Sequence, residues 1–303
     1  KDPLKDKEKM IFFLFDTALS TNEAIERSRK IAMTIVDKAD KNNRFVIMSI
    51  VPNSGLIYIV GPTNDKKIIQ QSIEERVVAR NNTRRSIAGE VLDGSAACRY
   101  SKYEGHIMPN LNEVTSFLLP HLTGSLKQNN VNFFRSFETL FYAVNTIKSN
   151  KFIYLFTEGI ARNTQIGDKQ SMYHLFLKKV ADYLSQSGAV LFILNPSGVG
   201  TSGFSSYTSG EDSLRYLAKE SGGKYFEGAE EKIASRIENI HRAYYEIGFS
   251  DLPDSKNNTL RVTLKSNRKG INIHTLRSVK ESNNYSKMKK VEKEMLALNL
   301  ISK

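Results

Sequence analysis

Three short runs of this chain are almost wholly apolar: Met10–Phe15 (MIFFLF), Lys151–Phe156 (KFIYLF) and Ala189–Leu194 (AVLFIL). All fall far short of the ~18–20 apolar residues that span a bilayer. They also lack the alternation of a strand with one wet face. Such runs form strands buried on both faces. Helix-period segments lie around and between them, so strands alternate with helices. That order predicts a doubly wound, mostly parallel α/β sheet with helices on both faces. Ligands of such sheets bind beyond the carboxyl ends of the strands.

The remaining elements follow from period and punctuation. Ile25, Ala32, Ile35, Val36 and Ala39 form one apolar stripe, which predicts a helix over 22–39. Ser20-Thr21-Asn22-Glu23 before it reads as a capping box, with Ser20 as N-cap and Glu23 at N3. Phe45–Val51 and Leu56–Val60 read as strands around an Asn53-Ser54-Gly55 turn. Helices are expected over 137–149, 171–187, 211–221 and 229–243, the third closed by Gly222-Gly223. Lys224–Glu227 reads as a short strand. Residues 76–135 are polar and turn-rich and read as an insertion. Asn195–Gly210 is a Gly/Ser-rich loop at the carboxyl end of a strand.

After residue 243 the pattern changes. Tyr244–Phe249, Thr259–Lys265 and Ile271–Leu276 read as strands, the last two joined by a Ser266–Gly270 hairpin signal. Met288, Val291, Met295 and Leu298 make one helical stripe, which predicts docking on the domain itself. The organisation is therefore a polar leader at 1–9 and a main domain at 10–249. An appended β-hairpin follows at 250–280, then a C-terminal amphipathic helix at 281–303.

Charge and reactive residues restrict the function. The net charge is +12, from 44 Lys+Arg against 32 Asp+Glu. It favours an acidic partner, or it is dispersed solvation. The dense basic cluster is Arg76, Arg80, Arg84 and Arg85, inside the insertion that also carries Tyr100 and Tyr103. These six residues are candidates for partner binding. Cys98 is the only cysteine, which excludes an internal disulfide and a multi-cysteine metal site. The five histidines lie far apart, and neither a phosphate-binding glycine loop nor a nucleophile elbow is present. The chain is expected to be no enzyme and to take no specific nucleic acid.

One chemical pattern stands out. Asp16-Thr17-Ala18-Leu19-Ser20 puts a carboxylate and hydroxyls just past the first buried strand. Phe156-Thr157-Glu158-Gly159 puts a second acid just past another. Both ends open on one face of a parallel sheet, and hard divalent cations take oxygen ligands of this kind. The alternative is local: Ser20 caps a helix, Asp16 bonds backbone N–H groups at that helix's start, and Glu158 is a solvated turn residue.

These residues resemble a von Willebrand factor type A domain, over about residues 10–249. Asp16 and Ser20 match the ends of the family's D-x-S-x-S loop, with Ala18 at the middle serine. Ser136–Ala143 is similar to its G-G-T-x-L-Y-D-A helix start, which puts Glu138 at the threonine and Thr139 one residue on. Thr157-Glu158-Gly159 resembles T-D-G. Leu214–Phe226 resembles L-x-x-L-A-x-x-T-G-G-x-x-F, the most specific match. Tyr244–Phe249 resembles the Y-x-L-G-Y strand of a bacterial subfamily, where a short strand pair follows.

The resemblance implies a degenerate metal-ion-dependent adhesion site built from Asp16, Ser20, Glu138, Thr139 and Glu158, with Mg²⁺ or Mn²⁺ as its cation. It also implies a protein-binding role in adhesion or envelope assembly, for an exported domain at the cell surface or in the periplasm. The partner would be a protein, acidic or matrix-like. A structural scaffold with a dead metal site, or a basic-surface binder of an anionic polymer, are the alternatives.

Overall fold

A computed structural model describes residues 8–52, 54–78, 124–145, 147, 149–158, 177, 180–182, 184–196, 211–228, 230–242, 259–267, 275, 278–280, 285–288 and 290–301. Its centre is a six-stranded sheet. In chain order the strands are β1 (Lys9–Asp16), β2 (Asn43–Val51), β3 (Gly55–Thr63), β4 (Asn150–Phe156), β5 (Ala189–Asn195) and β6 (Lys224–Glu227). Across the sheet they run β3-β2-β1-β4-β5-β6. All neighbouring pairs are parallel except β2–β3, which is antiparallel. The doubly wound, mostly parallel sheet expected from the apolar runs is present.

Alternation along β1 shows why both faces must be covered. Met10, Phe12 and Leu14 join one core layer, and Ile11, Phe13 and Phe15 join the other. The first layer is closed by α3 (Gly124–Asn145), by helical residues between 177 and 186, and by α4 (Glu211–Glu220). The second is closed by α1 (Asn22–Lys38), α2 (Lys66–Arg76) and α5 (Glu230–Arg242). Phe13 is fully buried and touches Phe15, Phe45, Tyr154 and Phe156 by ring contacts. Each such side chain contributes roughly 1.5–3 kcal/mol of burial.

Some expectations shift. The helix α2 falls before and into the start of the presumed insertion, and α3 begins well before residue 137. The cap of α1 is Thr21, whose hydroxyl accepts from Ala24 N–H at 3.3 Å, and not Ser20. The third strand is longer than Leu56–Val60 and antiparallel. The expected end of α4 is present: Gly222 has φ +79°, and Gly223 N–H reaches the Ala218 carbonyl at 2.9 Å. This is a Schellman ending. Gly223 also lies against β5, where an added Cβ would sit 1.7 Å from the Leu191 carbonyl oxygen.

A second, two-stranded sheet pairs β7 (Thr259–Arg261) with β8 (Ser278–Lys280) in antiparallel sense. The strands expected at Tyr244–Phe249 and, but for Thr275, at Ile271–Leu276 lie outside the described residues. The terminal helix α6 (Lys290–Ile301) docks on α3: Asn145 donates to Glu292 Oε1 at 3.0 Å, and Met295 is buried in the core. Among the described residues, no helix is long and apolar enough to cross a membrane.

Candidate functional site

In this sheet the strand order reverses between β1 and β4, because β1 leads on to β2 on one side and has β4 on the other. A crevice beyond the carboxyl ends is expected at that switch point. Asp16 ends β1, and Thr157 and Glu158 follow β4. The sequence thus delivers both acids to the switch point through two buried strands.

Backbone bonds hold these ends rigid. Thr17 N–H donates to the Ile50 carbonyl at 2.9 Å, and Thr157 N–H to the Leu194 carbonyl at 3.1 Å. The Thr17 hydroxyl donates to the Ile50 carbonyl at 2.9 Å and lies 3.1 Å from the Ser49 hydroxyl.

Asp16 is 1% exposed, and both its oxygens carry bonds. Ala18 N–H and Leu19 N–H donate to Oδ1 at 3.1 and 2.9 Å. The Thr157 hydroxyl donates to Oδ2 at 2.7 Å, across the switch point. Burial pushes the Asp16 carboxyl up from 3.8 to about 6, against the Thr157, Leu19 and Ala18 hydrogen bonds, and the Glu158 charge adds to the rise. No cation of the described residues offsets it. A buried carboxylate beside a second carboxylate is a candidate functional group.

Glu158 closes the other side. Its Oε2 accepts from Thr21 N–H at 2.6 Å, and its own N–H donates to Ser20 Oγ at 3.4 Å. Ser20, freed from capping, therefore bridges the first loop to the β4 loop.

Glu138 and Thr139, the other two expected cation ligands, stand on α3. Thr139 Oγ1 donates to the Arg135 carbonyl at 3.3 Å, within its own helix. Glu138 is half-buried on α3, and the charge acting on Asp16 is that of Glu158. Arg76 donates to the Ile59 carbonyl at 3.5 Å, which binds it to the edge strand β3. Arg80, Arg84, Arg85, Tyr100 and Tyr103 lie outside the described residues. Thr157, Thr17 and Ser49 are polar partners that sequence reading left out of the site. A hydroxyl residue next to a strand-end acid is the signal that points to Thr157.

A Mg²⁺ or Mn²⁺ ion needs near-octahedral oxygen ligands. Asp16, Ser20 and Glu158 have the right charge and atom type. Their arrangement leaves such an ion few free lone pairs, because Asp16 Oδ1 takes two N–H groups, Oδ2 takes the Thr157 hydroxyl, and Ser20 Oγ and Glu158 Oε2 each take a backbone N–H. Among the described residues, no group of three or more His, Cys, Asp or Glu converges in metal-binding geometry.

No family model and no curated protein sequence matches this chain. Solved structures with a similar fold include an aerotolerance-related membrane protein from Bacteroides fragilis, 13% identical, covering 78% of this chain and 99% of that one, with a TM-score of 0.41. A von Willebrand factor type A protein from Catenulispora acidiphila is 10% identical over 78% of this chain and 42% of its own, at 0.39. A D319A mutant of the PilB minor pilin from Streptococcus sanguinis is 12% identical over 80% of this chain and 62% of its own, at 0.42. These superpositions are loose, so the fold class rests on strand order and direction. It is the doubly wound, mostly parallel α/β sheet that the von Willebrand A resemblance implies.

Proposed function

We propose that this chain is a non-catalytic protein-binding domain that takes its partner at the carboxyl edge of the sheet, around Asp16 and Glu158. The observation that carries this reading is the buried Asp16 carboxylate at the switch point, with no described cation to offset it. A neutral isostere would satisfy the same geometry: an amide oxygen can take the two N–H groups, and an amide nitrogen can donate to Thr157 Oγ1. A charge held there against its burial is explained by what it attracts.

The site works by charge. Asp16 sets the field, and Thr157 fixes its orientation. Glu158 and Ser20 tie the first loop to the β4 loop, so a partner meets a rigid edge. Its oxygens are occupied by protein donors, so this reading needs no metal. The von Willebrand A resemblance supports an exported domain, at the cell surface or in the periplasm, serving adhesion or envelope assembly.

Random peptides displayed on phage and selected on the wild-type chain test this without a known partner. Peptides captured by wild type and lost on Asp16→Asn or Glu158→Gln support the reading. Selection of the same peptides by all three proteins refutes it.

A further inference from the structure

The central sheet has two edge strands, and the sequence treats them differently. At one edge, β6 is four residues long, begins with Lys224 and ends with Glu227, and the Arg215 guanidinium lies 4.4 Å over its Tyr225 ring. Short length and charge are the means by which a sheet keeps its edge from pairing with another chain. At the other edge, β3 is nine residues long and carries no charged residue from Gly55 to Thr63. Its centre, Leu56-Ile57-Tyr58-Ile59-Val60, is aliphatic and aromatic throughout. These residue types make the favourable pairs across neighbouring strands.

The backbone of this edge is open. A strand with a single neighbour turns alternate N–H and C=O groups away from the sheet. Among the described residues, one hydrogen bond reaches Leu56–Val60 from outside the ladder with β2. It is the long one, 3.5 Å, from the Arg76 guanidinium to the Ile59 carbonyl. Leu56, Ile57, Tyr58 and Val60 are half-buried. Leu56 and Tyr58 pack toward the first core layer, Ile59 and Val60 toward the second, and Ile57 belongs to neither.

Self-complementarity decides what the edge takes. Facing residues of an antiparallel pair point to the same side of a sheet. Turn one copy about a two-fold axis through Tyr58, and Tyr58 faces Tyr58 of the second copy, Ile57 faces Ile59, and Leu56 faces Val60. Every pair is apolar or aromatic, and no like charges stand opposite each other. Gly55 then faces Gly61, and Pro62, which has no N–H to give, ends the ladder. Two copies of net charge +12 repel each other, so an uncharged face is where they meet at least cost.

We propose that β3 pairs with β3 of a second copy of this chain, antiparallel across a two-fold axis at Tyr58. The pairing joins two six-stranded sheets into one continuous sheet and gives the open backbone groups of each edge their partners. Asp16 and Glu158 take no part in it, so it stands or falls independently of the carboxyl-edge reading.

Sedimentation equilibrium of the full chain over a concentration series reads the dimer directly. The proposal expects a monomer–dimer equilibrium that tightens as salt rises from about 0.1 M to about 1 M, because screening removes the repulsion between copies and leaves the apolar pairing. Ile57→Lys puts a charge into the ladder and should weaken the dimer about tenfold or more. Ile57→Thr, uncharged and a good strand former, should keep it. Both change a side chain outside the two core layers, so the fold is kept. Cross-linking fixes the register. In a Cys98→Ser background, Tyr58→Cys should form a disulfide-linked dimer under mild oxidation, since facing Cβ atoms stand about 4.5–5.5 Å apart. Ser54→Cys, in the exposed turn before β3, should not. A dimer indifferent to Ile57→Lys, a dimer that salt weakens, or Ser54→Cys linking as fast as Tyr58→Cys overturns the proposal. A chain that stays monomeric at every concentration also overturns it, and leaves the edge to a strand of a different protein.

Discussion

Asp16→Asn separates a structural from a functional role for the switch-point acid. Burial raises the folded-state value from 3.8 to about 6, so the native chain binds this proton more tightly than the unfolded chain. The group's contribution to stability is therefore fully present below pH 3.8 and is lost as pH rises through about 6. At about 1.4 kcal/mol per unit, the loss amounts to about 3 kcal/mol at most. The asparagine side chain can keep all three hydrogen bonds and has no charge to bury. The variant should therefore be more stable than wild type at pH 7.5, by up to about 3 kcal/mol. The two should converge near pH 4. Urea unfolding of both proteins at pH 4, 5, 6 and 7.5 measures the gap directly, since titration of groups not coupled to Asp16 cancels in the difference. A variant that is less stable than wild type at pH 7.5, or a gap that does not change with pH, refutes the reasoning.

Two further substitutions test the frame that positions the site. Gly223→Ala puts a Cβ 1.7 Å from the Leu191 carbonyl oxygen, so α4 or β5 must move, and thermal unfolding should show a loss of about 3 kcal/mol or more. Lys151 is buried at the opposite end of β4, its Nζ donates to the Ile147 carbonyl, and burial lowers it from 10.5 to about 8. Its folded state prefers the neutral form, so stability from this group is gained as pH rises from 8 to 10.5. Urea unfolding should show the difference between wild type and Lys151→Met moving toward wild type by about 3 kcal/mol across that range.

Much of this was legible in the sequence because burial on both faces leaves a plain mark. MIFFLF, KFIYLF and AVLFIL have no polar face to hide, and they became β1, β4 and β5. Gly222-Gly223 was readable because a left-handed residue and a close backbone approach both demand glycine there. The helix α2 escaped notice because its buried stripe is only Ile69, Ser72 and Ile73. Ser20 and Thr21 can both cap a helix, and spacing alone does not separate them. The structure gives the cap to Thr21 and leaves Ser20 to Glu158 N–H.

The site divides in the same way. Asp16 and Glu158 could be found as acids at strand ends. Thr157 as the partner of Asp16 depends on β1 and β4 being neighbours, which no local pattern encodes. The Arg215–Tyr225 stack depends on how α4 returns over β6.

The most direct test of the account is to measure capture of the phage-selected peptides by wild type and Asp16→Asn, each in Mg²⁺ and in EDTA. Protein hydrogen bonds already close the site, so the account predicts equal affinity for wild type in both buffers and loss of capture with Asp16→Asn. Capture by wild type in Mg²⁺ alone, or capture that survives Asp16→Asn, would contradict it.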